Sequence, residues 1–411
     1  MNVEIQINNN AAPVARFVTW AASPCRIRVT NPAGITGTTV PVRLDRQGPA
    51  TGGGIEFATA AAGPFGATLN ISLPRNGTTV GFFIRGVFGK PSSADGDVTI
   101  RVQASLSPPA FQSVATVPLM VRIRKNANTL STAERNRVVS AFAQLNNQGL
   151  GRFVDFRDMH VLAADLEEHT RPGFLAWHRA YLLDLERELQ AIDPTVALPY
   201  WRFDRAAPNI FKKDFLGESD NNGTVSFSST NPLQFWKTDN QVGISRTPLF
   251  NTNSAPPNPM SEAQTLALGT QFANFRSMEG NPHGLAHTSF GGFILSKQTA
   301  ARDPLFFFLH CNVDRLWAKW QRTNNRFDTA TPGSFDLVNP GNKTGHNLPD
   351  TMWPWNGITT GGRPPFAPGG AFAASPCVSA PGPQPRVRDC FDYQGSVSLV
   401  GNLGFSYDDV R

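Results

Sequence analysis

Six of the seven histidines in this 411-residue chain fall in two stretches. His160, His169 and His178 lie in the run HVLAADLEEHTRPGFLAWHR, and His283, His287 and His310 lie between His283 and Gln321. Histidines scattered at random would leave roughly one of the seven in windows of that combined length, so the clustering asks for a metal site, and two sets of three ask for two metals. Neutral imidazole suits copper, zinc, iron or nickel, while magnesium, calcium and manganese want carboxylates. Six imidazoles with no carboxylate among them favour copper. The zinc-protease pattern H-E-x-x-H is not met, because Gly284 stands where its general-base Glu belongs.

Helices must bring these rings together. The segment from Gly173 to Ala191 carries Phe174, His178, Tyr181, Leu185 and Leu189 at helical spacing, which puts His178 on a buried stripe. A lone histidine there reads as a core residue; its company changes the reading. His160 lies on the preceding helical stretch and His169 just before the Pro172-Gly173 break, so a loop residue and two helix residues converge. His283 and His287, four apart, share one helix face, and His310 sits in Pro304 to Gln321, where Leu309, Val313, Leu316, Trp317 and Trp320 supply a buried side. Packing two helix pairs together predicts a four-helix bundle with the metals in its core. Ser131 to Glu134 fits a capping box, and Val138, Val139 and Phe142 follow on an apolar face, so the helical region opens there. From Pro194 to Met278 the chain is turn-rich, with SDNNG and NTNSAPPNP loops expected to border a site and one helix expected over Ser261 to Phe275.

Two runs then carry a resemblance. His169-Thr-Arg-Pro-Gly-Phe174-Leu-Ala-Trp177-His178-Arg179 continuing to Glu186, and Asp303-Pro304-Leu-Phe306-Phe-Phe-Leu-His310 continuing to Asp314, resemble the two copper signatures of the tyrosinase, catechol oxidase and polyphenol oxidase family. The resemblance covers about residues 121 to 411, because Leu348 to Trp355 and Leu403 to Asp408 look similar to the stretches that close the tyrosinase core. It implies a type-3 dinuclear site in which two copper ions, each on three imidazoles, bind dioxygen and oxidise an o-diphenol to an o-quinone, with ortho-hydroxylation of monophenols in some members. An o-aminophenol oxidase and a hemocyanin-like reversible dioxygen carrier are the alternatives it leaves open. The implied partners are a small phenol and dioxygen, with room for an export or copper-loading partner.

The resemblance also assigns neighbours. Glu279, four residues before His283, resembles the glutamate that in family members holds a water able to take the phenol's proton, while Gly284 replaces the asparagine that helps it. Lys297, by its spacing back from Asp303, resembles a gate residue above the copper. Glu167 and Glu168 precede His169 and no cysteine lies nearby, so the histidine–cysteine thioether of plant and fungal members is expected to be absent; Leu309 replaces a histidine that often precedes the last ligand. Asp314 is either an acceptor for a ligand N–H or an ion-pair partner of Arg179 or Arg315. Phe174, Phe290, Phe306 and Phe307 are expected to form a dry surround.

Residues 1 to 124 hold no chemical motif. Apolar alternation at Val3 to Ile7, Arg26 to Thr30, Val40 to Leu44, Leu69 to Leu73, Val80 to Val87, Val98 to Ala104 and Val117 to Arg124, separated by Gly, Pro, Asn and Asp, predicts a β-sandwich. The expected fold is therefore an all-β sandwich domain of unknown role over 1–124, followed by a mainly α dicopper domain over 125–411. A net charge of +6 without a basic block argues against nucleic acid, and no apolar run approaches the ~20 residues of a membrane helix. Four cysteines are too few for a disulfide framework; Cys311 reads as a packing residue, and Cys377 and Cys390 are able to pair. MNVEIQINNN lacks the basic start and apolar core of a signal peptide, which favours the cytoplasm or export by a partner. Asn356 to Pro385, rich in Gly, Pro and Ala, reads as a surface loop, and His346, matching no motif, is expected at the surface.

Overall fold

The computed structural model describes residues 1–107, 109–163, 167–248, 259–336 and 345–411. Nearly all of the NTNSAPPNP loop lies outside them.

The first third is β-rich. Strands β1 (Asn2–Ile7), β2 (Phe17–Val18), β3 (Ser23–Asn31), β4 (Thr39–Gln47), β5 (Ile55–Ala58), β6 (Thr68–Pro74), β7 (Val80–Gly86), β8 (Val98–Ser107) and β9 (Ala110–Val121) form two sheets, ordered β1-β3-β7-β5 and β2-β9-β8-β4-β6. Alternation dictates the arrangement. Cys25, Ile27 and Val29 of β3, Val40, Val42 and Leu44 of β4, and Val98, Ile100 and Val102 of β8 all point into one apolar cluster, each full burial worth about 1.5–3 kcal/mol. All seven predicted strands are present. The strands β2 and β5 were not legible, since two and four residues are too short to display a period.

Helices follow. Helix α1 (Thr132–Asn146) starts on the expected capping box, with Glu134 N donating to Ser131 Oγ and Ser131 N to the Glu134 carboxylate. Helices α2 (Phe153–Ala163) and α3 (Phe174–Ile192) carry the first histidine stretch. The helix expected over Ser261 to Phe275 is broken into α4 (Glu262–Leu266) and α5 (Phe272–Phe275), because Gly269 between them takes φ +135°, outside any helix. His283 and His287 sit on a wide turn at Gly280–Gly284 running into the short α6 (Leu285–His287) rather than on one long helix. Helix α7 (Leu305–Asn324) carries His310.

A buried charge frame fixes α3 against α7. Arg179 Nε lies 2.5 Å from Asp314 Oδ1, and its guanidinium stacks 3.7 Å over Trp317. The two regions of the chain also touch: Trp20 Nε1 donates to Tyr407 O at 2.8 Å and Arg137 to Ser93 O at 2.6 Å.

Three expectations need correction. His346 is fully buried, and its Nδ1 accepts the Gly173 N–H at 3.2 Å. The loop bearing it packs so tightly on the start of α3 that a Cβ at Gly173 would fall 2.3 Å from Gly345 O. Cys377 and Cys390 are both free, with Cys377 Sγ directed at Val14 O and Cys390 Sγ at Arg386 O. The Asn356 to Pro385 segment lacks regular structure as expected, yet it is tied down, since Ala373 N donates to buried Asp184 on α3 and Arg187 donates to Ala373 O and Ala380 O. Among the described residues, no helix is long and apolar enough to cross a membrane.

Candidate metal centre

Backbone carbonyls orient four of the six imidazoles through the same ring atom. The Nδ1 atoms of His160, His178, His283 and His287 face Lys297 O at 3.0 Å, Phe174 O at 2.9 Å, Glu279 O at 2.8 Å and Ile294 O at 2.7 Å. A carbonyl can only accept, so each Nδ1 carries the hydrogen, and in a neutral ring Nε2 keeps the lone pair. Helix α3 supplies one of these anchors locally, from His178 to Phe174, and the turn at Gly280–Gly284 brings Glu279 O to His283. The other two come from a 3-10 turn at Phe293–Leu295 and from Lys297 beyond it.

Those rings are held neutral. Burial, and then the neighbouring histidines, keep His160, His178, His283 and His310 well below the ordinary imidazole range, and burial lowers His287 to about 4.

The lone pairs then converge. His287 Nε2 lies 3.1 Å from His283 Nε2 and 3.3 Å from His310 Nε2. Two donors bound at about 2.0 Å to one tetrahedral ion lie about 3.3 Å apart, so this trio has the spacing of donors sharing an ion. Lone pairs facing one another repel unless a cation stands between them. His178 Nε2, buried and without a hydrogen-bond partner among the described residues, gives the same sign for the first set. The residues therefore fit a metal pair: His283, His287 and His310 form one group, and His160, His178 and His310 another. The rings of His178 and His310 stack 4.2 Å apart, which joins the two sets.

His169 enters from its loop, with an acid beside it. Glu168, fully buried, brings Oε1 to 3.3 Å from both His160 Nε2 and His169 Nδ1, and the three form a further group able to hold an ion. The sequence held a signal for it in an acid next to a histidine.

Other assignments sort by contact. Asp314 takes the ion-pair alternative, with Arg179, Arg124 and the Tyr407 hydroxyl on its carboxylate, whereas Arg315 pairs with Asp409 and Glu262. Phe306 packs 4.3 Å from the His310 ring and 4.6 Å from His160, and Phe174 packs 4.7 Å from His178 and 4.9 Å from His283. Phe290 packs tilted against Phe211, and Phe307 packs edge-on against Phe153. Partly buried Glu279 accepts the Thr170 N–H at 2.6 Å, and burial pushes its carboxyl up to about 7. Lys297 has an exposed side chain, while its carbonyl anchors His160.

Comparison with known proteins agrees with this geometry. Residues 150–323 match the family described as the common central domain of tyrosinase. A tyrosinase of Streptomyces glaucescens is 32% identical over 262 residues, which cover 57% of this chain and 92% of the relative. The chain belongs to the tyrosinase family. It is an oxidoreductase of tyrosinase type, and its cofactor is a pair of copper ions. A second tyrosinase, from Streptomyces antibioticus, is 30% identical over 266 residues, covering 58% of this chain and 94% of that one. The family also reaches a G-type hemocyanin of Enteroctopus dofleini, 31% identical over 220 residues, or 49% of this chain and 7% of that much longer one.

Proposed function

We propose that this tyrosinase-family chain oxidises o-diphenols to o-quinones with dioxygen, one copper held by His160, His169 and His178 and the other by His283, His287 and His310. The observation that carries the reading is the 3.1 and 3.3 Å convergence of three Nε2 atoms, two of them on rings whose Nδ1 is tied to a carbonyl. Two copper ions, when bound, supply the paired electron transfer that dioxygen reduction needs. Helices α2, α3 and α7 with the 280–287 turn are read as the four-sided bundle around them. Residues 1–124 are read as a separate β-sandwich domain outside the chemistry, and 125–411 as the dicopper domain.

The protein's own groups have distinct tasks. Phe174 and Phe306 keep water from the imidazoles, which strengthens every electrostatic interaction inside. A small phenol approaches where cover is thinnest, at His169, whose side chain is 14% exposed, and at half-buried Gly284 and His287. Glu279, on that side, receives the proton that a monophenol must lose, through a held water.

Copper reconstitution of metal-free protein tests the reading. The expected result is two copper ions per chain and catechol oxidation; retention of zinc after copper exposure, with no oxidase activity, would sink it. The hemocyanin relative favours one second reading, a reversible dioxygen carrier. A carrier's oxygenated form persists when catechol is added, while the enzyme's is consumed. Parallel assays on o-aminophenol and catechol separate the two oxidase substrates.

A further inference from the structure

A cavity of about 390 Å³ opens where the β-rich region meets the closing segment of the chain. Its volume falls in the range of small-molecule sites, and it shares no residue with the histidine groups. One wall is aromatic. Trp20 and Phe88 meet edge-on with ring centroids 5.7 Å apart, and Phe88 is left 39% exposed. Trp20 is fixed in place, because its Nε1 donates to Tyr407 O at 2.8 Å and its ring lies so close to Gly86 that a Cβ there would fall 2.8 Å from it. The wall is therefore formed before anything binds, which lowers the cost of binding.

Polar groups line the rest. Glu56 and Arg85 satisfy each other, with Arg85 Nε 2.6 Å from Glu56 Oε1, and the Arg85 guanidinium stacks 4.0 Å over Phe65. Arg322, in the last turn of α7, has no such answer, since among the described residues no acidic side chain lies within ion-pair distance of it. Gln394 also lines the cavity, and its Nε2 is buried with no hydrogen-bond partner among the described residues. A buried donor left so is costly unless an acceptor reaches it.

We propose that this cavity binds an aromatic carboxylate, its ring against Trp20 and Phe88 and its carboxylate between Arg322 and Gln394. A carboxylate matches the fork of a guanidinium with two parallel hydrogen bonds. A bare inorganic anion would leave the aromatic wall unused. Because the walls come from the β-rich region on one side and from α7 and the closing segment on the other, the ligand bridges them and stabilises the folded chain. The proposal is independent of the copper reading.

Benzoate titrated into the full chain tests it. The expected result is saturable binding, with hydrogen–deuterium exchange slowed at residues 85–88 and 394–399. Arg322→Gln, at an exposed position, should weaken binding about tenfold. Ala62→Trp, which fills the cavity from an exposed position in its lining, should abolish it, while Arg26→Gln, an exposed arginine outside the cavity, leaves it unchanged. No binding, protection confined to the histidine stretches, or equal weakening by Arg322→Gln and Arg26→Gln overturns the proposal, as does inorganic phosphate binding as tightly as benzoate. If either cavity variant does not fold, the wild-type exchange map answers alone, because slowing at both segments is required and its absence from either overturns the proposal.

Discussion

The guanidinium of Arg124 lies buried against the carboxylate of Glu186, Nη2 2.7 Å from Oε2 and Nε 3.1 Å from Oε1. Its Nη1 reaches Asp314 at 3.2 Å and the Tyr407 hydroxyl at 2.9 Å. Arg124 stands three residues past β9, yet its partners are on α3, on α7 and near the end of the chain. The peptide leaving the β-rich region is thus part of the frame that holds His178 and His310 in place. Arg124→Ala would leave two carboxylates buried and is expected to cost about 3–5 kcal/mol, read from denaturant midpoints. A fragment starting at Arg122 should keep copper better than one starting at Asn126; equal stability and equal copper in both would remove Arg124 from the frame.

Asp184 gives a pH dependence of known sign. Burial pushes its carboxyl up to about 6, despite donors from Trp355 Nε1 at 2.8 Å and Ala373 N at 2.9 Å. The folded chain therefore binds this proton more tightly than the unfolded one, whose carboxyl titrates near 4. Stability from this group is complete below about pH 4 and falls as pH rises to about 6, by on the order of 2–3 kcal/mol. Asp184→Asn removes the titration, at a constant offset because its amide N–H₂ must face one of the two donors. The unfolding free energy of wild type minus variant should decline across pH 4 to 6 and stay flat above 7. A difference independent of pH contradicts the assignment.

What could be read from the sequence follows the range of the interaction. The capping box at Ser131 and the stripe carrying His178 depend on neighbours within one helical turn, and both are present. The burial of His346 depends on Gly173, 173 positions away in the chain, and the partners of Arg124 lie 62 to 283 positions away. No local period encodes such pairs. The approach of Glu168 to His160 and His169 was not legible for another reason. Its position beside His169 was visible, but an acid next to a ligand points inward or outward according to a loop conformation that spacing does not specify. The helix expected over Ser261 to Phe275 is interrupted by Gly269, at φ +135°, and by Gln271, whose backbone is extended, neither of which a local apolar pattern encodes.

Lys297 offers a test of substrate charge. Its carbonyl holds His160 and its side chain is exposed, so Lys297→Ala keeps the anchor and removes the cation. If the ammonium stands at the mouth of the site, kcat/KM for a carboxylated catechol should fall several-fold, by roughly the 0.2–1 kcal/mol of an exposed ion pair, while a neutral catechol is unaffected. Equal changes for both substrates would take away the recognition role.

The balance between phenol hydroxylation and catechol oxidation turns on Gly284. Its backbone is right-handed helical, φ −59° and ψ −38°, so no glycine is required there. A Cβ at this position would meet only Glu279 O, at 3.5 Å, an ordinary contact. Asparagine therefore fits without displacing Glu279, whose carboxylate is held by the Thr170 N–H. On the proposed reading, a water that takes the phenol's proton would have Glu279 but no side chain at 284 to orient it, so catechol turnover should exceed phenol turnover in wild type. Gly284→Asn supplies the second partner and is expected to raise the phenol-to-catechol ratio by about tenfold, a small part of the 10²–10⁴ that a positioned base contributes. Glu279→Gln should lower phenol hydroxylation by about 10²-fold while leaving catechol oxidation within a few-fold. Both ratios come from initial rates on the two substrates at one copper loading. A wild type that hydroxylates phenol as fast as it oxidises catechol, or a ratio unmoved by either substitution, would show that the proton leaves by a route that involves neither residue.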